Sequence, residues 1–414
     1  MRRFAIGAVF ALLLAAPLSG QNLALTHASV VDVVDGTIHR NATVVVSDGR
    51  VQSIGDGAAP AGAQVVDLHG WYVAPGLIDA HVHVGNISDA RRALQYGVTT
   101  MRSAGVSHYV DVGMRELQRG GYVDVPEYVA TGYHVRPDPA EGLWEDHPEL
   151  GRYLASGIHG TEAIRAMARA LLSRNVDFLK VLATERAGVP TTDPRKQVYD
   201  EEELRALVEE GEARGVGVMA HAHGDAGARA AIRAGVRSIE HGTYLSRETL
   251  QLMKEHGTYL VPTIAIVRDL TIPGGDYDNA FLEIRGRHML PRVREMARMA
   301  HELGVKIVTG TDTGYGPEST TTLAHEMMEL VDIGMTPLEA LKAATVTAAE
   351  LLGVDDHTGR IAEGLQADLI VLERNPLDDI GVTQDVQMVI SDGKIVARHG
   401  DWPDQRPVSS RSFP

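Results

Sequence analysis

Between residues 76 and 314 the chain alternates short apolar segments with amphipathic ones, eight times over, and few architectures accommodate that order. The candidate strands are 76–84 ("GLIDAHVHV"), 98–105 ("VTTMRSAG"), 127–132 ("EYVATG") and 177–184 ("DFLKVLAT"). They continue with 217–224 ("GVMAHAHG"), 238–243 ("SIEHGT"), 259–266 ("YLVPTIAI") and 306–314 ("KIVTGTDTG"). Stretches of helical periodicity, such as 161–174, 201–214, 225–234 and 290–303, fall between them. The pattern predicts an α/β chain built on a (β/α)8 TIM barrel over residues 76–360. A doubly wound open sheet is the alternative. No GxGxxG and no GxxxxGKS/T follows any of these strands, so the chain carries no nucleotide signature.

Both flanks read differently. Residues 23–73 are rich in Val and Thr with Gly and Asp at the bends, and "SDGR" (47–50) recurs as "SDGK" (391–394). Residues 367–400 have the same character, so 21–75 and 361–414 are expected to form one small composite β-sandwich domain from both termini. Residues 1–20 read as a signal peptide: Arg2 and Arg3 precede an apolar run at 4–18 too short to span a bilayer comfortably, and small residues follow. The expected location is periplasmic or secreted. With no cysteine there is neither a lipoprotein anchor nor a disulfide nor a thiolate metal ligand. A formal net charge of −16 argues against nucleic acid and anionic membrane surfaces as partners.

Polar residues cluster where the strands end. Alternation puts His81 and His83 on one face, and likewise His221 and His223. His241 and Asp312 close two further strands. Lys180 interrupts an apolar strand, where an ammonium is expensive unless its charge is removed or paired. Taken singly, a strand histidine is usually a satisfied core or surface residue, and Asp312 could simply cap a helix. Seven ligand-type residues on five strand ends of a barrel make a metal site the better reading. Neutral imidazole and carboxylate suit Zn²⁺. Two ions need a bridge, which a lysine amine makes poorly but its carbamate makes well. "HEMME" (325–329) fails the HExxH pattern because position 329 is Glu. His27, His39, His69, His147, His256, His288, His301, His357 and His399 are expected at the surface, and the basic run 285–298 on a solvated helix face.

This constellation resembles the amidohydrolase superfamily of binuclear-metal barrels, and the likeness covers nearly the whole chain. "VAPGLIDAHVH" is similar to the family's first-strand signature, and 334–372 to its return from barrel to small domain. "RSAG", "TGYH" and "HAHG" point to the imidazolonepropionase-related branch, which includes Xaa-Pro dipeptidase-like and ochratoxin-hydrolysing enzymes. The resemblance implies that His81, His83 and Asp312 hold one zinc and that His221 and His241 hold a second. Lys180, as N6-carboxylysine, would bridge them. Hydroxide would attack the amide, and Asp312 would move the proton. His134 and His223 would contact substrate or the developing oxyanion. The expected substrates are small amides beside a free carboxylate: dipeptides, N-acyl amino acids, ochratoxin A. Homo-oligomers, octamers among them, are implied too. The alternatives are a deaminase or cyclic amidase with one metal, and a non-catalytic binding protein.

Overall fold

The structure, a computed structural model, describes residues 22–399. The expected export segment lies outside the described residues. No helix among those residues is long and apolar enough to cross a membrane.

Five strands open the chain: β1 (Leu23–Val31), β2 (Ile38–Ser47), β3 (Arg50–Gly55), β4 (Gln64–Asp67) and β5 (Tyr72–Pro75). β1 pairs antiparallel with β2, and β2 with β3. Along its other edge β1 runs parallel first to β4, over Leu23–Thr26, and then to β5, over Ser29–Val30. The C-terminal strands complete the same sheet. β14 (Leu369–Leu372) pairs with β5, β15 (Met388–Ser391) with β14, and β16 (Lys394–Arg398) with β15. Both termini therefore meet as expected, in one hydrogen-bonded set of eight strands that forks at β1, whose one edge serves two successive partners. Each SDG turn closes a two-residue hairpin, pairing Ser47 with Arg50 and Ser391 with Lys394. Leu25, Val44, Val46, Val73, Leu369 and Ile390 form the core of this sheet.

In the middle of the chain every strand ladder is parallel and joins consecutive strands, which removes the doubly wound alternative, since that fold requires a reversal of strand order. β6 (Leu77–Val82), β7 (Val98–Ser103) and β8 (Glu127–Val129) form one sheet. β9 (His134–Val135), β10 (Phe178–Leu182), β11 (Gly217–Gly224), β12 (Ser238–Tyr244) and β13 (Tyr259–Val261) form another. Two expected strands differ. The seventh stops at Val261, because Pro262 cannot donate to a ladder and the helix Ile264–Asp269 begins two residues later. The eighth, 306–313, makes no ladder and pairs by single bridges. Its backbone bonds Leu260 on one side through Lys306 and Val308, and Ala80, His81 and His83 on the other through Thr309, Asp312 and Thr313. At the remaining seam Ala130 O accepts from Asp177 N and Phe178 N.

Helices lie where periodicity puts them, at Gly160–Leu172, Glu201–Glu212 and Asp225–Ala234. Asp200 and Glu203 form a capping box at the start of the second. The helix expected at 290–303 begins ten residues earlier, running Ala280–Leu303 through Pro291.

Candidate metal centre

All eight residues singled out above line one pocket at the strand ends: His81, His83, His134, Lys180, His221, His223, His241 and Asp312. Within it the donors form two groups. His81 Nδ1 donates to Glu240 Oε2 at 2.7 Å, which turns its Nε2 toward Asp312 Oδ1 at 3.5 Å. His83 Nδ1 donates to Gly105 O at 3.1 Å, which sets its Nε2 3.1 Å from the same oxygen. Partners on the far nitrogen fix ring orientation and tautomer, as in metal-binding histidines generally.

The second group is His221, His223 and His241. His223 Nδ1 meets Thr243 Oγ1 at 2.9 Å, and His241 Nδ1 meets Thr263 Oγ1 at 2.7 Å. The His223 and His241 rings stack with centroids 4.6 Å apart, and His221 packs edge-on 4.5 Å from His241. In each group the potential ligand atoms lie within 4.8 Å of one another. His223, expected from sequence as a substrate contact, thus shares the second group. Burial first, and then neighbouring histidines, hold His221 and His241 well below the ordinary imidazole range, and burial takes His223 down to about 3. All three are therefore neutral at pH 7, the form that binds a metal.

Lys180 is buried among these groups, and its Nζ has no hydrogen-bond partner. Burial pulls its pKa down to about 8, against the opposing pull of Glu240 and Asp312. Asp312 resists the effect of its own burial because His81 and His83 surround it, which keeps its carboxyl well below the usual range.

The floor of the site is ionic. Glu240 accepts from Arg102 Nη2 at 3.0 Å and from Ser238 Oγ at 2.5 Å, besides His81. Burial works against this carboxylate, but Arg102 and His81 bring it down to about 2. Arg102 Nε also donates to Ala80 O at 2.8 Å. Asp79 buckles β6 to the 306–313 segment. It accepts from Thr311 Oγ1 at 2.7 Å, Tyr315 OH at 2.9 Å and the backbone N of Thr311 and His81.

Backbone geometry matters at the same places. His241, Thr263 and Asp312 all adopt left-handed conformations (φ 75°, 49° and 56°), a strain that only firmly held residues sustain. A Cβ on Gly310 would lie 2.7 Å from His81 Cβ, so glycine lets the last segment approach β6. At Gly105, φ is +114° and a Cβ would lie 1.9 Å from His134 Nε2. That nitrogen donates to Ala104 O at 2.5 Å, and the His134 ring stands 6.0 Å from His83, on β9 beside Lys180.

Glu240, Arg102 and Asp79 carried no assigned role in the sequence reading. For Glu240 there was a signal, an acid adjoining a ligand-type histidine, but alternation would send the two to opposite faces. The left-handed backbone of His241 breaks that alternation. Among the histidines expected at the surface, His147 is a correction. It is buried, with its ring nitrogens on Tyr109 OH and Glu149, because loop packing the strand pattern does not encode covers it. His325 caps its own helix, with Nδ1 3.1 Å from Thr322 N, and Glu326 accepts from Ile264 N and Ala265 N. In the basic run, Arg287, Arg294 and Arg298 pair with Glu283, Glu329 and Glu295.

Known proteins resemble this chain over most of its length. The profile of the amidohydrolase family matches residues 72–396. Ochratoxinase of Aspergillus niger is 30% identical over 407 residues, covering 86% of this chain and 82% of that protein. An imidazolonepropionase of Salinispora tropica is 26% identical, covering 81% of this chain and 86% of that one. Among solved structures, a Xaa-Pro dipeptidase with methionine bound in its active site superposes with a TM-score of 0.80. It is 27% identical and covers 90% of this chain and 99% of that one.

Proposed function

This chain belongs to the amidohydrolase family, and from that premise we propose that it is a binuclear zinc enzyme that hydrolyses an amide beside a free carboxylate. Family membership makes it a metal-dependent hydrolase of amide bonds in small molecules. We read the two parallel sheets, joined through 306–313, as arcs of one closed (β/α)8 barrel, in keeping with its structural neighbours. The N-terminal segment marks the enzyme for export.

One observation carries the two-metal reading: a buried, unpartnered lysine nitrogen amid two donor groups. A free amine there has nothing to bond. Carboxylated, Lys180 would present one oxygen to each group, and the low pKa leaves a neutral fraction able to add CO₂. His81, His83 and Asp312 would hold one ion, and His221 and His241 the other. When bound, the ions would polarise the scissile carbonyl and acidify the attacking water.

The chain's own residues supply the rest. Asp312 accepts the proton of the attacking water, whose oxygen adds to the carbonyl carbon. As the C–N bond breaks, Asp312 returns that proton to the departing amine. His223 faces the substrate as a neutral donor toward the oxygen that gains charge, while His134, whose Nε2–H is given to Ala104 O, contacts substrate through its accepting Nδ1. Glu240 keeps His81 in the tautomer that leaves Nε2 free. The candidate substrates are dipeptides, N-acyl amino acids and ochratoxin A, the last by analogy with the ochratoxinase relative.

The test pairs metal analysis with a substrate panel. Two zinc ions per chain and release of the free amino acid are expected. One metal with ammonia release would indicate a deaminase, and no metal with no turnover a binding protein. Either result would replace this reading.

A further inference from the structure

The pocket holds a cation that the catalytic assignment leaves unused. Arg186 stands on the loop after β10 and lines the same cavity as Lys180 and the histidines. Among the described residues its guanidinium has neither an ion pair nor a hydrogen bond, although the chain as a whole is strongly acidic. Its positive charge acts on His134, Lys180 and His221 and on the Tyr277 phenol, so it lies close to the reacting centre. The pocket lining contains a single carboxylate, Asp312, which His81 and His83 already engage.

The loop is not free to swing away. Arg285 reaches over from the helix Ala280–Leu303 and donates to four of its carbonyls: Ala187 at 2.6 Å, Val189 at 2.7 Å, Pro190 at 3.3 Å and Thr192 at 2.8 Å. A second half-buried guanidinium, Arg136, has its pKa lowered by burial and by the charge of Arg186, while Asp138 pulls it the other way. Leu182, Ile266, Val267, Leu270 and Met289 line the same cavity and give it an apolar wall.

We infer that Arg186 binds the free α-carboxylate of the substrate by a bidentate ion pair and selects N-acyl or peptidyl amino acids whose side chain is apolar. This rests on the amidohydrolase reading above and adds the residue that sets its specificity. A guanidinium is the group suited to planar, two-point recognition of a carboxylate.

The test compares each substrate with its C-terminal carboxamide, in wild type, Arg186→Met and Arg186→Lys. Wild type should prefer the acid. Arg186→Met should lose roughly 10- to 100-fold in kcat/KM on the acid, mainly through KM, and little on the amide, so that the preference collapses. Arg186→Lys should recover part of it, since the charge returns without the fork. Equal losses on acid and amide, or none, would overturn the assignment. If wild type hydrolyses no member of the panel, the functional reading falls, and binding still decides the subsite. Calorimetric titration of zinc-loaded protein with phenylalanine and phenylalaninamide should show a tenfold or greater preference for the acid that Arg186→Met removes. Equal affinities in wild type would sink the subsite by itself.

Discussion

Replacing Glu240 by Gln keeps the shape of a wholly buried side chain and removes its charge. Two groups feel the loss. Arg102, equally buried, keeps a guanidinium with no counter-charge, and His81 Nδ1 donates to an amide oxygen rather than a carboxylate. Breaking a buried pair by removing one partner costs about 3–5 kcal/mol. The native environment gives a second route to the magnitude. The Glu240 carboxyl is held from 4.5 down to about 2, a shift equivalent to about 3 kcal/mol. At roughly 1–2 °C per kcal/mol for a fold of this length, metal-free Glu240→Gln should unfold about 3–10 °C below wild type at neutral pH. The sign of the pH dependence follows from the direction of the shift. A carboxyl depressed in the folded state adds stability that is fully present above its unfolded value of 4.5 and fades as pH falls from there toward about 2. The variant should therefore lose the Glu240 contribution to the acid limb of the stability curve. Zinc affinity, measured against a competing chelator, should fall roughly 10- to 100-fold as His81 loses its orienting partner. A melting temperature within about 1 °C of wild type, with an unchanged acid limb, would refute the claim that the Arg102–Glu240–His81 array supports the site.

Three further substitutions probe separate parts of the centre. His134→Ala leaves Gly105 and its bond to His83 in place, so metal content should stay near two per chain while kcat/KM drops roughly 10- to 100-fold, as for one lost polar contact, and normal kinetics would remove His134 from the substrate contacts. Asp312→Asn can still offer an oxygen to a metal but cannot carry a proton. Single-turnover rates should fall roughly 10²–10⁴-fold, and a variant within about tenfold of wild type would exclude Asp312 as the shuttle. Lys180→Ala should lose metal and activity together, with partial recovery on adding short-chain carboxylic acids. A fully metallated, active Lys180→Ala enzyme would show that no bridge is needed.

How far a chain like this can be read depends on which force places each residue. Strand alternation is local, so the pairs His81 and His83, and His221 and His223, could be put on one face from spacing alone, and all four line the pocket. The conspicuous charge of Lys180 within "DFLKVLAT" was legible for the same reason, since a lysine in a covered strand must be doing something other than meeting water. Where a local rule is broken, the reading failed. Glu240 and His241 are adjacent, and alternation would keep them apart. A left-handed residue at His241 brings both to the centre, and that strain is stabilised only by contacts such as Thr263 that come from elsewhere in the chain. His147 is buried by Tyr109, 38 residues distant, and no periodicity reports such a contact. The 306–313 segment resembled a strand in composition, yet its backbone bonds to β6 and β13 amount to isolated bridges and no ladder, because Gly310 and the turn at Asp312 serve the site. The same distinction separates chemistry from specificity. Metal-binding candidates sit on strand ends, where the fold's own repeat positions them. Arg186 sits on a loop fixed by Arg285 from a helix about a hundred residues downstream, and two residues of the apolar wall, Ile266 and Val267, come from the Ile264–Asp269 helix that replaced the expected strand. Residues of that kind are set by tertiary contacts, so relatives with the same ligands can take different acids, and the substrate has to be read from the folded pocket.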